Sequence, residues 1–301
     1  MRNKRYIAIF FLAFSGFLFG HLGKTFWNVL GCERNPASKE YFIATCGGDY
    51  EHRWYYYRYN QNYVRYLDSA KIIFLGSSTI QMAIDRTELN KNFKRSYYLL
   101  GFSFGEGYGF SRLVLANARP KPEFTILNLD KFFSKKFSVV AKDVMTDTIV
   151  TRFLKHAEFL IVDFLLSHVK RQSPVVMGSA YRSVRDGGWK VFGSPDLRIL
   201  ITKKDRNSAK LGKPDDGLIA YIKYLKTISK NVVLTQTPQK GGFENDIVNL
   251  SRKLGVDYFI DNQSSYLTMD GTHLSPSSAK LWTTNLVHFL KNRYQVTTAI
   301  Q

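Results

Sequence analysis

The sequence predicts an α/β domain of three layers on a mainly parallel five-stranded sheet, and three observations carry that reading. Ile72-Ile73-Phe74-Leu75 is an unbroken apolar run, mostly β-branched or aromatic, as expected of a strand buried on both faces. Further short apolar runs at 96–100, 124–129, 231–236 and 256–260 are separated by helical patterns, the alternation of a doubly wound sheet. The helical patterns are themselves clear. Leu218, Ile219, Ile222, Leu225 and Ile228 recur at helix spacing over 216–229, and Phe243, Ile247, Leu250 and Leu254 do so over 243–254.

At the amino terminus, Arg2, Lys4 and Arg5 precede an apolar run from Tyr6 to Gly23. Its length suits a short transmembrane anchor over residues 1–30, with the basic end cytoplasmic and the remainder exported. A cleaved signal peptide is the alternative, and Val29-Leu30-Gly31-Cys32 is loosely similar to a lipoprotein cleavage box. Cys32 and Cys46, the two cysteines of the chain, predict one disulfide in an exported protein. Residues 31–70 read as a juxtamembrane segment. Within it, Trp54-Tyr55-Tyr56-Tyr57-Arg58-Tyr59 suits packing against the sheet better than stacking on bases or sugars.

After the first strand, Gly76-Ser77-Ser78 ends it abruptly and a helix follows over 85–93. The glycine-rich turn over 101–107 leads into a helix through about Ala118, which Pro120 and Pro122 break. Residues 131–214 interrupt the alternation: 139–169 is helical, 182–213 is basic, and no strand is evident. An insertion of this length at the carboxyl edge of a sheet predicts a cap over a site. The last helix, 276–291, begins with Pro276 in its first turn.

The formal net charge of +19 and pI near 9.8 imply an anionic partner: nucleic acid, a membrane surface or an acidic polymer. There is no phosphate-binding loop, zinc-spaced cysteine set or RNA-binding signature, so nucleic acid is not expected.

Ligands of open α/β sheets bind at the carboxyl ends of the strands, where Ser78 lies. A serine hydroxyl needs a base to become a nucleophile, and Met269-Asp270-Gly271-Thr272-His273 offers one. Asp270 and His273 stand three apart in a turn, close enough for the carboxylate to orient the imidazole. Glu106 is a second carboxylate near the proposed cleft, whereas Asp130 suits a structural role beneath it. His156, His168 and His288 lie in helical patterns and read as packing or surface residues.

These residues resemble the SGNH (GDSL) hydrolase superfamily. Gly76-Ser77-Ser78 is similar to its nucleophile block with Ser77 in place of aspartate, Gly101 to the glycine of its second block, and Asp270-Gly271-Thr272-His273 to its terminal D-x-x-H block. The likeness covers Lys71 to Arg293 apart from the insertion. In the third block, Leu127-Asn128-Leu129-Asp130 places Leu129 where the superfamily has an oxyanion-binding asparagine. The resemblance implies a flavodoxin-like SGNH domain over 71–296, with 131–214 inserted. It also implies an O-acyl esterase or acyltransferase, with acetyl the expected group, acting on an extracytoplasmic polysaccharide. Ser78 would be the nucleophile, His273 the base and Asp270 its orienting carboxylate. The N–H groups of Ser78 and Gly101 would bind the oxyanion, and no cofactor or metal is required. Leu129 favours the rival reading, a catalytically silent module that binds an anionic surface glycan.

Overall fold

A disulfide joins Cys32 to Cys46, the pairing expected of the chain's two cysteines. The structure is a computed structural model that describes residues 39–294 apart from 47–48, 95, 104–105, 131–135, 169–178, 193–197 and 213, together with Gly16, Gly20 and Cys32. The anchor expected over 1–30 therefore falls, those two glycines aside, outside the described residues. Among the described residues no helix is long and apolar enough to cross a membrane.

The segment before the sheet is part of the body rather than a spacer. Tyr41–Thr45 (β1) pairs antiparallel with Ser179–Ser183 (β5) of the insertion, and β5 with Trp189–Phe192 (β6). Glu51–Tyr56 (α1) and Asn62–Asp68 (α2) bury Trp54, Tyr55, Tyr63 and Leu67. Trp54 stacks on Phe42 with ring centroids 3.9 Å apart, and Tyr55 Oη lies 2.8 Å from Tyr98 Oη. The aromatic cluster is thus core, and the hydroxyls of the fully buried Tyr55 and Tyr63 each have a partner.

The central sheet comprises Ile72–Ser77 (β2), Tyr97–Phe102 (β3), Phe124–Asn128 (β4), Asn231–Thr235 (β8) and Asp257–Phe259 (β9). Its order is β3-β2-β4-β8-β9, parallel throughout. Counting these five strands alone, the order is 2-1-3-4-5, that of doubly wound flavodoxin-like sheets. Alternation divides the core between two layers. Ile73, Leu75, Leu100 and Leu127 join one cluster with Tyr108–Ala118 (α5), Asp216–Ile228 (α9) and Glu244–Leu254 (α10). Phe74, Leu99 and Ile126 join the other with Ser78–Ala83 (α3), Arg86–Phe93 (α4) and Pro276–Tyr294 (α11).

The insertion differs from the sequence expectation. Besides Val139–Thr146 (α6) and Ile149–His168 (α7), it holds β5, β6, Ile199–Thr202 (β7) and the short helix Lys203–Arg206 (α8). The strands went unread because each is only four or five residues long and lies among polar and basic positions. Their packing buttresses the sheet. Leu99 N–H on the outer edge of β3 donates to Asp186 O at 2.8 Å, in the turn between β5 and β6. β7 pairs with Ser265–Thr268 (β10), the strand that leads into the Asp270–His273 turn.

Candidate active site

The turn that carries the base is built from local hydrogen bonds. Thr268 and Leu274 form an antiparallel bridge, and Met269 N–H donates to His273 O at 2.8 Å. Gly271 has φ +89°, a backbone conformation that glycine tolerates without strain. Inside the turn, Asp270 Oδ1 accepts from Thr272 N, Thr272 Oγ1 and His273 N, each at 2.8 Å. Its other oxygen, Oδ2, lies 2.6 Å from His273 Nδ1. Burial pushes the Asp270 carboxyl up, but the bonds from the His273 ring and from the His273 and Thr272 backbone outweigh it and hold it down at about 2.

Ser78 Oγ lies 2.9 Å from His273 Nε2. With Nδ1–H donated to Asp270, Nε2 is the ring's acceptor for the serine hydroxyl. The structure thus brings Ser78, His273 and Asp270 together in one hydrogen-bonded chain at the carboxyl end of β2. Ser78 and His273 are half-buried, and the Asp270 side chain is 36% exposed, so the chain of three opens to solvent.

Ser78 begins α3 directly. Ser77, extended at φ −90°, caps the helix by accepting from Thr79 N at 3.2 Å. This explains why serine can stand where the similar block has aspartate. Below the turn, Asp130 accepts from Ser77 Oγ and, at 2.8 Å, from Thr79 Oγ1. Asn128 Nδ2 donates to Thr79 Oγ1 at 2.8 Å, and Asn128 Oδ1 accepts from Thr237 N at 2.7 Å. The residues on both sides of Ser78 are therefore bolted to the end of β4. Asp130 has the structural role the sequence suggested; the part played by Thr79 carried no sequence signal.

Gly101 does not face the site. It lies within β3 opposite Gly76. The two-residue repeat of a strand turns it to the same outer edge as Leu99, where its carbonyl accepts from Gln81 Nε2 at 3.1 Å and an Arg182 guanidinium nitrogen at 2.9 Å. A Cβ there would stand 2.5 Å from Ser77 O and 2.6 Å from Ile80 Cγ2, so Gly101 is needed for α3 to cross the strand closely. The expectation that its N–H binds an oxyanion is corrected; the Ser78 N–H remains. Leu129 is also settled by alternation. It continues the Leu127 face into the core at 1% exposure, and its N–H donates to Thr235 O.

Glu106 is not a cleft carboxylate. It is fully buried, 2.9 Å from His52 Nε2, and accepts from Gly107 N at 2.8 Å and from Ser138. His52 Nδ1 lies 2.8 Å from Asp49 Oδ1. Burial opposes charge on this imidazole, but Asp49, Glu106 and Glu51 outweigh it and push His52 up to about 10. Next to it, Glu51 accepts from Ser103 N and Oγ, from Arg182 at 2.7 Å and from Trp189 Nε1. Among the described residues, Asp49, Glu51 and His52 come close enough to hold a metal ion. Both His52 nitrogens face carboxylates and Glu51 is saturated with donors, so the cluster suits a charged clamp better than a metal. It fixes Ser103 and Gly107, the described ends of the glycine-rich turn after β3. Of the other histidines among the described residues, His156 packs on Tyr59 at 4.3 Å between ring centroids, His168 Nδ1 meets Phe164 O, and His288 lines an open groove beside β9.

Compared with known proteins, the chain matches no family model, no curated protein and no solved structure.

Proposed function

We propose that this protein is a serine esterase or acyltransferase of the SGNH type, acting on O-acyl, expected to be acetyl, groups of an extracytoplasmic polysaccharide. The observation that carries the reading is the chain Ser78 Oγ, His273 Nε2 at 2.9 Å, His273 Nδ1 to Asp270 Oδ2 at 2.6 Å. It has the two contacts that acyl transfer demands of a nucleophile and an oriented base.

In this reading Ser78 Oγ attacks the acyl carbon as its proton passes to His273 Nε2. Asp270, ionised through almost all of the acid range, holds the imidazole and stabilises the imidazolium. The Ser78 N–H donates to the oxyanion. Collapse releases the sugar hydroxyl, which takes its proton from His273, and leaves an acyl-Ser78. Water or a second sugar hydroxyl, deprotonated by His273, then attacks that acyl carbon and frees Ser78. The formal charge of +19 suits an anionic or acylated glycan. The Cys32–Cys46 disulfide suits a body on the oxidising, extracytoplasmic side of a membrane.

A second reading, a silent glycan-binding module, is favoured by one observation. Asn128 is held by Thr79 and Thr237 and Leu129 lies in the core, so neither fills the third-block donor position. The two readings part on one experiment. An activated acetyl ester should acylate the wild-type protein at Ser78, and Ser78→Ala should abolish the adduct. A folded wild-type protein with no adduct, whose glycan binding survives Ser78→Ala, would leave the silent module standing.

A further inference from the structure

α7 is apolar on two faces. Its inner face buries Phe159, Val162 and Leu166, with Phe159 against Tyr59 at 5.0 Å between ring centroids and Glu158 bonded to Arg53 at 3.1 Å. Its outer face leaves Ile149, Phe153, Leu160 and Phe164 exposed at 86, 71, 54 and 60%, with Val150 beside them at 68%. Positions 149, 153, 160 and 164 follow helical spacing and form one stripe, about 22 Å long at 1.5 Å per residue. Residues 159–166 read Phe-Leu-Ile-Val-Asp-Phe-Leu-Leu, with Asp163 the single polar side chain. An apolar face needs cover, and an exposed apolar stripe of this length marks a contact surface.

Charge selects the cover. Lys136 and Lys142, just before α7 in the chain, and Arg152 in its first turn are exposed, the Arg152 guanidinium lying over the Tyr56 and Tyr57 rings. Of the nearby acids, Glu158 is paired with Arg53 and Asp147 with Lys155, and Asp163 is half-buried; Asp143 is exposed. The segment 136–164 therefore joins an exposed apolar stripe to an excess of exposed basic over exposed acidic side chains. A second copy of a chain of formal charge +19 would be repelled, whereas an anionic lipid surface attracts such a segment. We propose that the outer face of α7 docks onto an anionic lipid bilayer, with Phe153, Leu160 and Phe164 at the boundary of headgroups and acyl chains and Lys142 among the headgroups. Interfacial helices of this kind sink about 5–10 Å into that boundary. The inference is independent of the chemistry at Ser78. It would lay the body against the bilayer rather than leave it hanging from a tether.

The test uses the full chain reconstituted into vesicles, with an environment-sensitive fluorophore on Leu160→Cys and, as control, on Lys280→Cys. Native Cys32 and Cys46, being disulfide-bonded, do not compete for label. Vesicles with an anionic phospholipid and a spin-labelled lipid quencher should quench the α7 label by half or more and the control label little. Zwitterionic vesicles should quench the α7 label much less. Phe153→Ser with Phe164→Ser should abolish the difference while near-ultraviolet circular dichroism stays native. An unquenched α7 label that reports water would overturn the proposal. So would an unquenched, blue-shifted label that cross-links between chains, because a second copy would then cover the face. Equal quenching in zwitterionic vesicles would overturn the charge-directed docking.

Discussion

Thr79 Oγ1 donates to the Asp130 carboxylate at 2.8 Å, so the residue after the proposed nucleophile is fastened to the end of the neighbouring strand. Ser77, on the other side of Ser78, meets the same carboxylate. Asp130→Ala would leave two buried hydroxyls short of an acceptor, at a cost of about 1–3 kcal/mol for each group left unsatisfied. We expect a lower urea midpoint, together with weaker acylation of Ser78 than the stability loss alone explains. Asp130→Asn should do less harm, because an amide oxygen still accepts. Equal acylation by wild type and Asp130→Ala at a temperature where both are folded would show that the bracket does not set Ser78.

Asp270→Asn tests the orientation of the imidazole separately. The amide is close in shape but offers His273 Nδ1 a donor as readily as an acceptor, which permits the tautomer that cannot receive the Ser78 proton. In triads the same change lowers the rate on the order of 10⁴-fold while leaving geometry intact. Single-turnover acylation with an activated ester should show a loss of that order, with unchanged thermal unfolding. A loss of less than about tenfold would mean that Asp270 is only a turn residue.

The central sheet was legible because its first four strands are mostly apolar and buried on both faces, while β9 is short and partly exposed. The Ser78, Asp270 and His273 constellation was legible because its chemistry needs those side chains beside turn residues. Gly101 was misread for a physical reason. A glycine at the end of a strand serves equally for an oxyanion N–H and for close helix crossing, and only the direction of its backbone decides. The strands at 179–183, 189–192 and 199–202 were missed because they are short and one holds Arg182, a buried charge whose partner Glu51 lies 131 residues away. No local pattern announces such a pairing, nor the strand at 41–45 that joins it, whereas the aromatic run at 54–59 was legible as packing.

Leu129→Asn looks from the sequence like the restoration of a missing oxyanion donor, and the structure reverses the expectation. The Leu129 side chain joins Leu127 in the core layer rather than the cleft. An asparagine there would lose apolar burial and carry an amide without partners, a cost of about 1–3 kcal/mol for the polar group alone. The variant should unfold at lower urea and gain no rate of acylation. A rate gain without loss of stability would show that the end of β4 turns Leu129 toward the site.

The buried clamp at His52 predicts a pH dependence whose sign follows from its charge. Asp49 and Glu106 hold the folded-state imidazole at about 10, against an ordinary value of 6.5. Between these two values the folded protein binds a proton that the unfolded chain does not, so stability falls as pH rises. The contribution is complete below about pH 6.5 and lost as pH passes through about 10. Other groups titrate over the same window, so the measurement is a difference. Urea unfolding of wild type and of His52→Gln is compared at successive pH values. Wild type should exceed the variant most at pH 6, with the gap closing toward pH 10. His52→Gln removes one side of a buried ionic cluster, a change that costs on the order of 3–5 kcal/mol when the remaining charges stay uncompensated. A second change tests the cause: Glu106→Gln in the His52→Gln background removes the stranded carboxylate and should recover part of the loss. A gap independent of pH would show that His52 is neutral in the fold and that the clamp is held by hydrogen bonds without charge.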